Sequence, residues 1–449
     1  MSNQRVGNHY LIGSDRFYLF GGALVVLSYV VEAPLRFALD LVKLSALIYL
    51  RDLMGVLCAL FLLLSWLRGQ RSASLMAGVC ALLTLHTLIG ILGLPRMLQP
   101  LLGLKTYMPC LVGVALAPLL ERRVAQVTKF AAWCYVITAA GVITNYWVEF
   151  PWVGLAMDGP MGELELSKQW WTADGLRIPG FTRVSYIAAQ LMLISLGPLL
   201  ATGIGWLLRL VLIATAGVVI SLTTTKGAFT GLALIAVVDL LTVMSGFYGL
   251  VAPLLMGTSL VCLALPLIGV QIGRPNGPVP SWAESFAERI GDMWPRAFEL
   301  LDDPVSVVLG RGVGGIGMPQ TFVEPLLFNA SDNLTVFLIV SFGVVGPLYL
   351  GLLVTRFAVR TRQAPRARTT RWLAAWLAAL LGVGLTTGMI EEAVTCVTLG
   401  ISIGMLFAQR KAHAMLPDRS GNSQRPAREA RDANDAIARV PAFARRSRA

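Results

Sequence analysis

Gly249-Leu-Val-Ala-Pro-Leu-Leu-Met-Gly-Thr-Ser-Leu-Val-Cys-Leu-Ala-Leu-Pro-Leu-Ile-Gly-Val270 carries no charge over its whole length. A helix rises 1.5 Å per residue, so such a run crosses the roughly 30 Å hydrocarbon layer of a bilayer. Lipid offers no partner for free backbone N–H and C=O groups, so a crossing segment closes its hydrogen bonds on itself as a helix. Comparable runs stand at 17–33, 53–67, 72–93, 103–119, 129–147, 184–202, 205–222, 227–245, 333–354, 371–388 and 392–408. The chain is 56% hydrophobic and only 14% charged, too little charge to cover a soluble core. The expected fold class is therefore all-α: a polytopic membrane protein with about 12 transmembrane helices and two large periplasmic loops.

Charge sets the sidedness. Arg68 and Arg71 follow the second run, Arg122, Arg123 and Lys129 the fourth, and Arg356, Arg360, Arg362, Arg366, Arg368 and Arg371 the tenth. With both termini cytoplasmic, all three basic connectors fall inside, as the positive-inside bias demands. Residues 35–50, where Arg36, Asp40 and Lys43 interrupt an apolar helical pattern, read as a helix lying in the outer interface. The tail at 409–449 is basic and poor in bulky apolar residues, and is expected to be disordered and cytoplasmic. The net charge of +12 is explained by this sidedness, without a nucleic-acid partner. The six cysteines form no CxxC pair, and the three histidines do not cluster, so neither a disulfide framework nor a metal site is expected.

The residues 1–408 thus form one membrane domain with outer loops at 148–183 and 271–332. Trp147, Trp152, Trp170 and Trp171 mark the first loop, as an interfacial belt or as sugar-stacking platforms. In the second loop, Ser281 to Leu301 has helical spacing, with Ser281 as cap, Glu284 three residues on, and Trp282, Phe286, Ile290, Met293 or Trp294, and Ala297 on one face.

The outer side also holds cations that the positive-inside bias normally depletes: Arg177, Arg183, Arg274, Arg289, Arg296 and Arg311, with Lys226 at the outer end of a span. Guanidinium forks match phosphate oxygens, so the set points to a lipid-linked phosphate or diphosphate; snorkelling and pairing with nearby acids is the alternative. Leu309-Gly310-Arg311-Gly312-Val313-Gly314-Gly315-Ile316-Gly317 has the composition of an anion-binding nest. Asp332, in Ser331-Asp332-Asn333, is either the N-cap of the following helix or a general base at the membrane surface. Glu391 and Glu392 cap the last helix or bind a sugar.

Asp332-Asn333-Leu334-Thr335-Val336-Phe337-Leu338, continuing to Ser341-Phe342-Gly343-Val344-Val345-Gly346, resembles the His-Asn-x-x-Leu…Gly-x-x-Gly signature of the O-antigen ligase and Wzy-type polysaccharide polymerase superfamily. Arg289…Trp294…Pro304…Gly310-x-Gly-x-Gly resembles that family's Arg…Trp…Gly-x-Gly run. Thr225-Lys226-Gly227 resembles its Ser-Arg-Gly element, and Arg177-Ile178-Pro179-Gly180-Phe181 the segment ahead of its middle spans. The resemblance covers roughly residues 175–350.

It implies a bacterial inner-membrane glycosyltransferase that polymerises undecaprenyl-diphosphate-linked repeat units into exopolysaccharide or O-antigen at the periplasmic face. It implies no cofactor and no metal, and a flippase and a chain-length regulator as partners. By the resemblance Lys226, Arg289 and Asp332 are the catalytic candidates, and Arg177, Arg183 and Arg311 the diphosphate ligands. The ligases have His where this chain has Asp332, which favours the polymerase branch over the ligase. A lipid-linked-sugar transporter, or flippase, is the remaining alternative, though no internal repeat supports it.

Overall fold

The computed structural model describes residues 6–68, 74–159, 162–172, 175–244, 246–272, 279–364 and 367–407. Arg71, Arg274, Arg366 and the basic tail lie outside the described residues.

The chain is overwhelmingly helical. In order run α1 (Val6–Val30), α2 (Glu32–Leu41), α3 (Leu50–Leu67), α4 (Ser74–Gly93), α5 (Leu98–Thr106), α6 (Met108–Arg122) and α7 (Val124–Trp147). After two β-hairpins come α8 (Ser185–Leu200), α9 (Trp206–Thr223), α10 (Lys226–Val243) and α11 (Val251–Ile272). A segment of short helices follows: α12 (Ser281–Glu288), α13 (Trp294–Glu299), α14 (Pro304–Leu309) and α15 (Met318–Val323). The last elements are α16 (Leu334–Phe342), α17 (Val345–Gln363), α18 (Arg368–Gly384) and α19 (Ala393–Phe407).

Seven helical stretches are long and apolar enough to cross a membrane: Ser45–Leu67, Ser74–Gly93, Leu98–Arg122, Val124–Trp147, Trp206–Thr223, Lys226–Val243 and Tyr248–Gly269. An eighth counts if α1 and α2, bent 91° at their junction, are one broken span. The other expected runs are helical over most of their length but shorter or interrupted. α8 and α19 have 16 and 15 residues, Gly343 separates α16 from α17, and Arg368 and Arg371 open α18. The exterior carries Leu60, Phe61, Leu88, Leu92, Trp206 and Leu260, all exposed. An apolar surface of this extent needs an apolar solvent, and the protein is a membrane protein.

Small residues let the helices touch backbone to backbone. A Cβ at Gly113 of α6 would stand 2.1 Å from Val397 O of α19, and one at Gly382 of α18 would stand 2.5 Å from Gly231 Cα of α10. Close approach through glycine replaces the hydrophobic drive that lipid removes. α18 is buried along almost its whole length, from Trp372 to Gly384. Arg360 is not a purely topological charge: it is buried and donates to Met405 O and to Glu121.

Both expected loops are structured. The first contains antiparallel hairpins, β1 (Ala156–Gly159) with β2 (Gly162–Glu165) and β3 (Trp170–Thr172) with β4 (Gly175–Arg177), which the all-helical expectation did not include. The second has its helix where expected, but Pro280, not Ser281, is the N-cap, and no side chain caps it. A π-turn at Arg289–Met293 divides it from α13. The wider turn shifts the register by one, so Trp294 rather than Met293 is fully buried.

Candidate functional site

Arg177, Arg183, Lys226, Arg289 and Asp332 line one cavity of about 890 Å³. They arrive from β4, the segment before α8, the start of α10, the π-turn and the segment before α16.

Arg289 opens the π-turn, a departure from helical pairing that recurs at functional positions. Its Nη1 donates to Ser285 O at 2.9 Å and to Ser285 Oγ, and its Nη2 donates to Asp332 Oδ2 at 2.8 Å. Its Nε is buried and has no hydrogen-bond partner among the described residues.

Asp332 is not the helix cap. Asn333 takes that role, its side chain accepting from Thr335 N at 2.7 Å and Val336 N at 3.2 Å. The carboxylate of Asp332 is left for Arg289. Ser331 and Asp332 have φ of +59° and +29°, a left-handed pair without glycine. Such strain persists only where surrounding contacts fix it, and it collects at active sites. Ser331 N donates to Asn329 Oδ1, and Asn329 Nδ2 to Met293 O, which ties this turn to the Arg289 turn. Burial raises the Asp332 pKa, and Arg289 followed by Arg177 opposes it.

Arg177 closes β4 opposite Trp170, its guanidinium 5.0 Å from that ring's centre. Trp170 therefore carries a cation on its face. Trp152 stacks with Phe150 and lies near Phe181, while Trp147 and Trp171 are exposed. Lys226 begins α10 after Thr224, whose φ of +49° ends α9. A Cβ at the next residue, Gly227, would stand 2.0 Å from Thr386 Oγ1, so only glycine lets Lys226 reach the cavity edge. Arg183 donates from Nε to Glu165 O at 3.1 Å, and burial lowers its pKa.

Arg311 does not join this group. It bonds Gly315 O and Glu324, and Glu324 also accepts from Gln99 Nε2 at 2.7 Å. Nor is the glycine-rich run an anion nest. The amides of Arg311, Gly312, Val313 and Gly317 donate to Val340, Ser341, His86 and Asn329 carbonyls. Its glycines serve close packing: a Cβ at Gly312 would stand 2.3 Å from Gly90 N of α4. Arg296 is an exposed partner of Asp292, outside the cavity lining.

Glu391 and Glu392 also face the cavity. Glu391 Oε1 accepts from Met318 N at 2.6 Å, so it caps α15 and not the last helix. Burial pushes the pKa of Glu391 up to about 8, and burial with the neighbouring Glu391 pushes Glu392 up to about 8. Both carboxyls hold their protons at neutral pH, leaving Asp332 and Glu32 as the buried anions among the cations, with Glu284 and Glu288 at an exposed rim.

Four lining residues were absent from the sequence-derived set: Tyr29, Glu32, Arg51 and Tyr186. Their signal was a carboxylate and a cation beside apolar runs, where an ionisable residue marks a working position. The gathered cations can hold a polyphosphate and stabilise charge that grows on it, while a carboxylate beside Arg289 can take a proton. No group of three or more His, Cys, Asp or Glu able to hold a metal occurs among the described residues. No protein-family model and no curated protein matches this sequence.

Proposed function

We propose that this chain is a membrane glycosyltransferase that joins oligosaccharide repeat units carried on a lipid diphosphate, undecaprenyl diphosphate, as a polysaccharide polymerase of the Wzy type. The observation that carries the reading is the cavity itself. It gathers Arg177, Arg183, Lys226 and Arg289 around Asp332 from segments far apart in sequence. Cations removed from water need an anion, and a diphosphate supplies one.

In the reaction, an acceptor sugar hydroxyl attacks the anomeric carbon of the lipid-linked glycan. The bond from that carbon to the diphosphate oxygen breaks, and the configuration inverts. The diphosphate leaves with the electron pair, and Arg289, Lys226 and Arg177 stabilise it. Asp332 takes the acceptor proton. The polymerase is favoured over the ligase because the site carboxylate stands where the ligases have histidine, while His86 bonds Tyr349 and does not line the cavity. The reading places the cavity on the periplasmic face of a bacterial inner membrane, with about twelve crossings and a flippase and chain-length regulator as neighbours.

The test is polymer formation in cells carrying Lys226→Ala or Arg289→Ala. Both variants are expected to insert normally and to accumulate single repeat units on the lipid carrier. Long polymer at normal levels from both would overturn the proposal. Full-length polymer stranded on the carrier would mean a ligase, and loss of outward-facing repeats a flippase.

A further inference from the structure

α1 and α2 meet at a 91° bend, and Glu32 opens α2 with 2% of its surface exposed. Glu32 Oε1 accepts from Arg36 Nε at 2.9 Å, Arg36 Nη2 at 2.8 Å and Arg51 Nη2 at 2.9 Å. The Arg51 guanidinium lies 4.0 Å from the centre of the Tyr29 ring. Its position is thus fixed on two sides, by a carboxylate and by a π face. Arg51 Nη1 is different: it is buried, has no hydrogen-bond partner among the described residues, and belongs to a residue that lines the charged cavity. Asp52, the next acid along, pairs with Lys105 at 3.2 Å. Glu32 alone therefore serves Arg36 and Arg51, with Arg183 on the same wall. A donor this well held and left over is a binding group.

A second cavity of about 310 Å³ adjoins the same tyrosine. Val26, Leu116, Phe130, Leu191 and Ile401 line it, and Tyr29 belongs to both linings. One space is charged, the other is a slot for hydrocarbon, and Arg51 stands over the ring where they meet. This is the arrangement an amphiphile with a phosphate at the end of a long chain would fill.

We propose that Arg51, positioned by Glu32 and Tyr29, binds the chain-proximal phosphate of a long-chain lipid phosphate whose hydrocarbon occupies the apolar cavity. This deepens the glycan-transfer reading and rests on it for the lipid's role. Arg289, Arg177 and Lys226 then face the sugar-proximal phosphate, and Arg51 faces the other one.

The test uses the full chain in detergent, with decaprenyl phosphate as probe and native mass spectrometry as readout. Arg51→Gln is expected to weaken binding about tenfold or more, the loss of one charge-assisted hydrogen bond. Arg51→Lys keeps the charge beside Glu32 but not the fork, and retains part of the affinity. Val26→Trp fills the apolar slot without touching Arg51 and is expected to weaken binding by a similar factor. Wild-type affinity in Arg51→Gln or in Val26→Trp overturns the proposal. Displacement of the probe by an equal concentration of inorganic phosphate also overturns it, since the site would then be one for free phosphate. If Lys226→Ala and Arg289→Ala stop polymerisation while Arg51→Gln binds the probe normally, the transfer reading stands and this inference alone falls.

Discussion

Asp332→Asn separates chemistry from architecture at the cavity. The side chain accepts from Arg289 Nη2 at 2.8 Å and is not the cap of α16. Asparagine offers an oxygen at the same place, so the contact to Arg289 and the turn around it survive. What disappears is the ability to take a proton. The ion pair is partly exposed, at 18% and 30% for the two side chains, so its loss costs about 1 kcal/mol. That corresponds to less than about tenfold in rate if Asp332 only positions Arg289. Loss of a general base costs about 10² to 10⁴. The two roles are therefore separated by at least about an order of magnitude. The assay is the initial rate of polymerisation of lipid-linked repeat units in proteoliposomes at fixed protein density. A rate more than about a hundredfold below wild type is expected. A rate within about tenfold of wild type refutes the base assignment and leaves Asp332 as a positioning residue.

Asn333→Ala removes a true N-cap and should destabilise the protein by about 1 kcal/mol, seen as a lower thermal midpoint in detergent, with the per-molecule rate of the folded fraction little changed. The pKa of Glu392 is raised from 4.5 to about 8, so the folded chain binds more protons than the unfolded one across that window. Stability is highest below about 4.5 and is lost as pH rises through about 8; Glu392→Gln should flatten this dependence in thermal unfolding measured across the same range. Arg311→Ala leaves Glu324 buried without its cation and should cost about 3–5 kcal/mol, read as lost folded yield, while Arg311→Met combined with Glu324→Leu recovers much of it. A wild-type yield for Arg311→Ala would mean that the pair with Glu324 does not hold this part of the fold together.

The helices were legible because lipid leaves apolar runs little choice. Gly249–Val270 reads as a crossing from composition alone, and α11 with its leading turn covers it. The length of a crossing was less legible. α8 and α19 come from runs that looked long enough, yet they stop at turns fixed by tertiary contacts. In the site, Arg177, Arg183, Lys226 and Arg289 were visible because cations on the side usually poor in them stand out. Arg311 had the same local appearance. Its difference lies in Glu324 and in the carbonyls of α4 and α16 that consume the neighbouring amides, none of which follows from spacing. Asp332 and Asn333 are equally good caps, so which one caps is decided by two backbone angles that sequence does not encode locally. Arg51 was hidden in another way. Its partner Glu32 lies across the bend between α1 and α2, and nothing nearby in the chain announces the pairing.

The glycine contact between α10 and α18 has a mechanical consequence. Lys226 stands one short stretch before Gly231, and Gly227 abuts Thr386 just beyond the end of α18. With no side chain to slip or repack at either place, the ammonium and the turn leading to Glu391 and Glu392 are clamped into one stiff jaw. Opening the cavity to a bulky glycan then falls to the opposite jaw, the chain of short helices that carries Arg289. The hinge of any such motion belongs at the π-turn and at the strained Ser331–Asp332 pair, where the backbone already departs from its preferred angles.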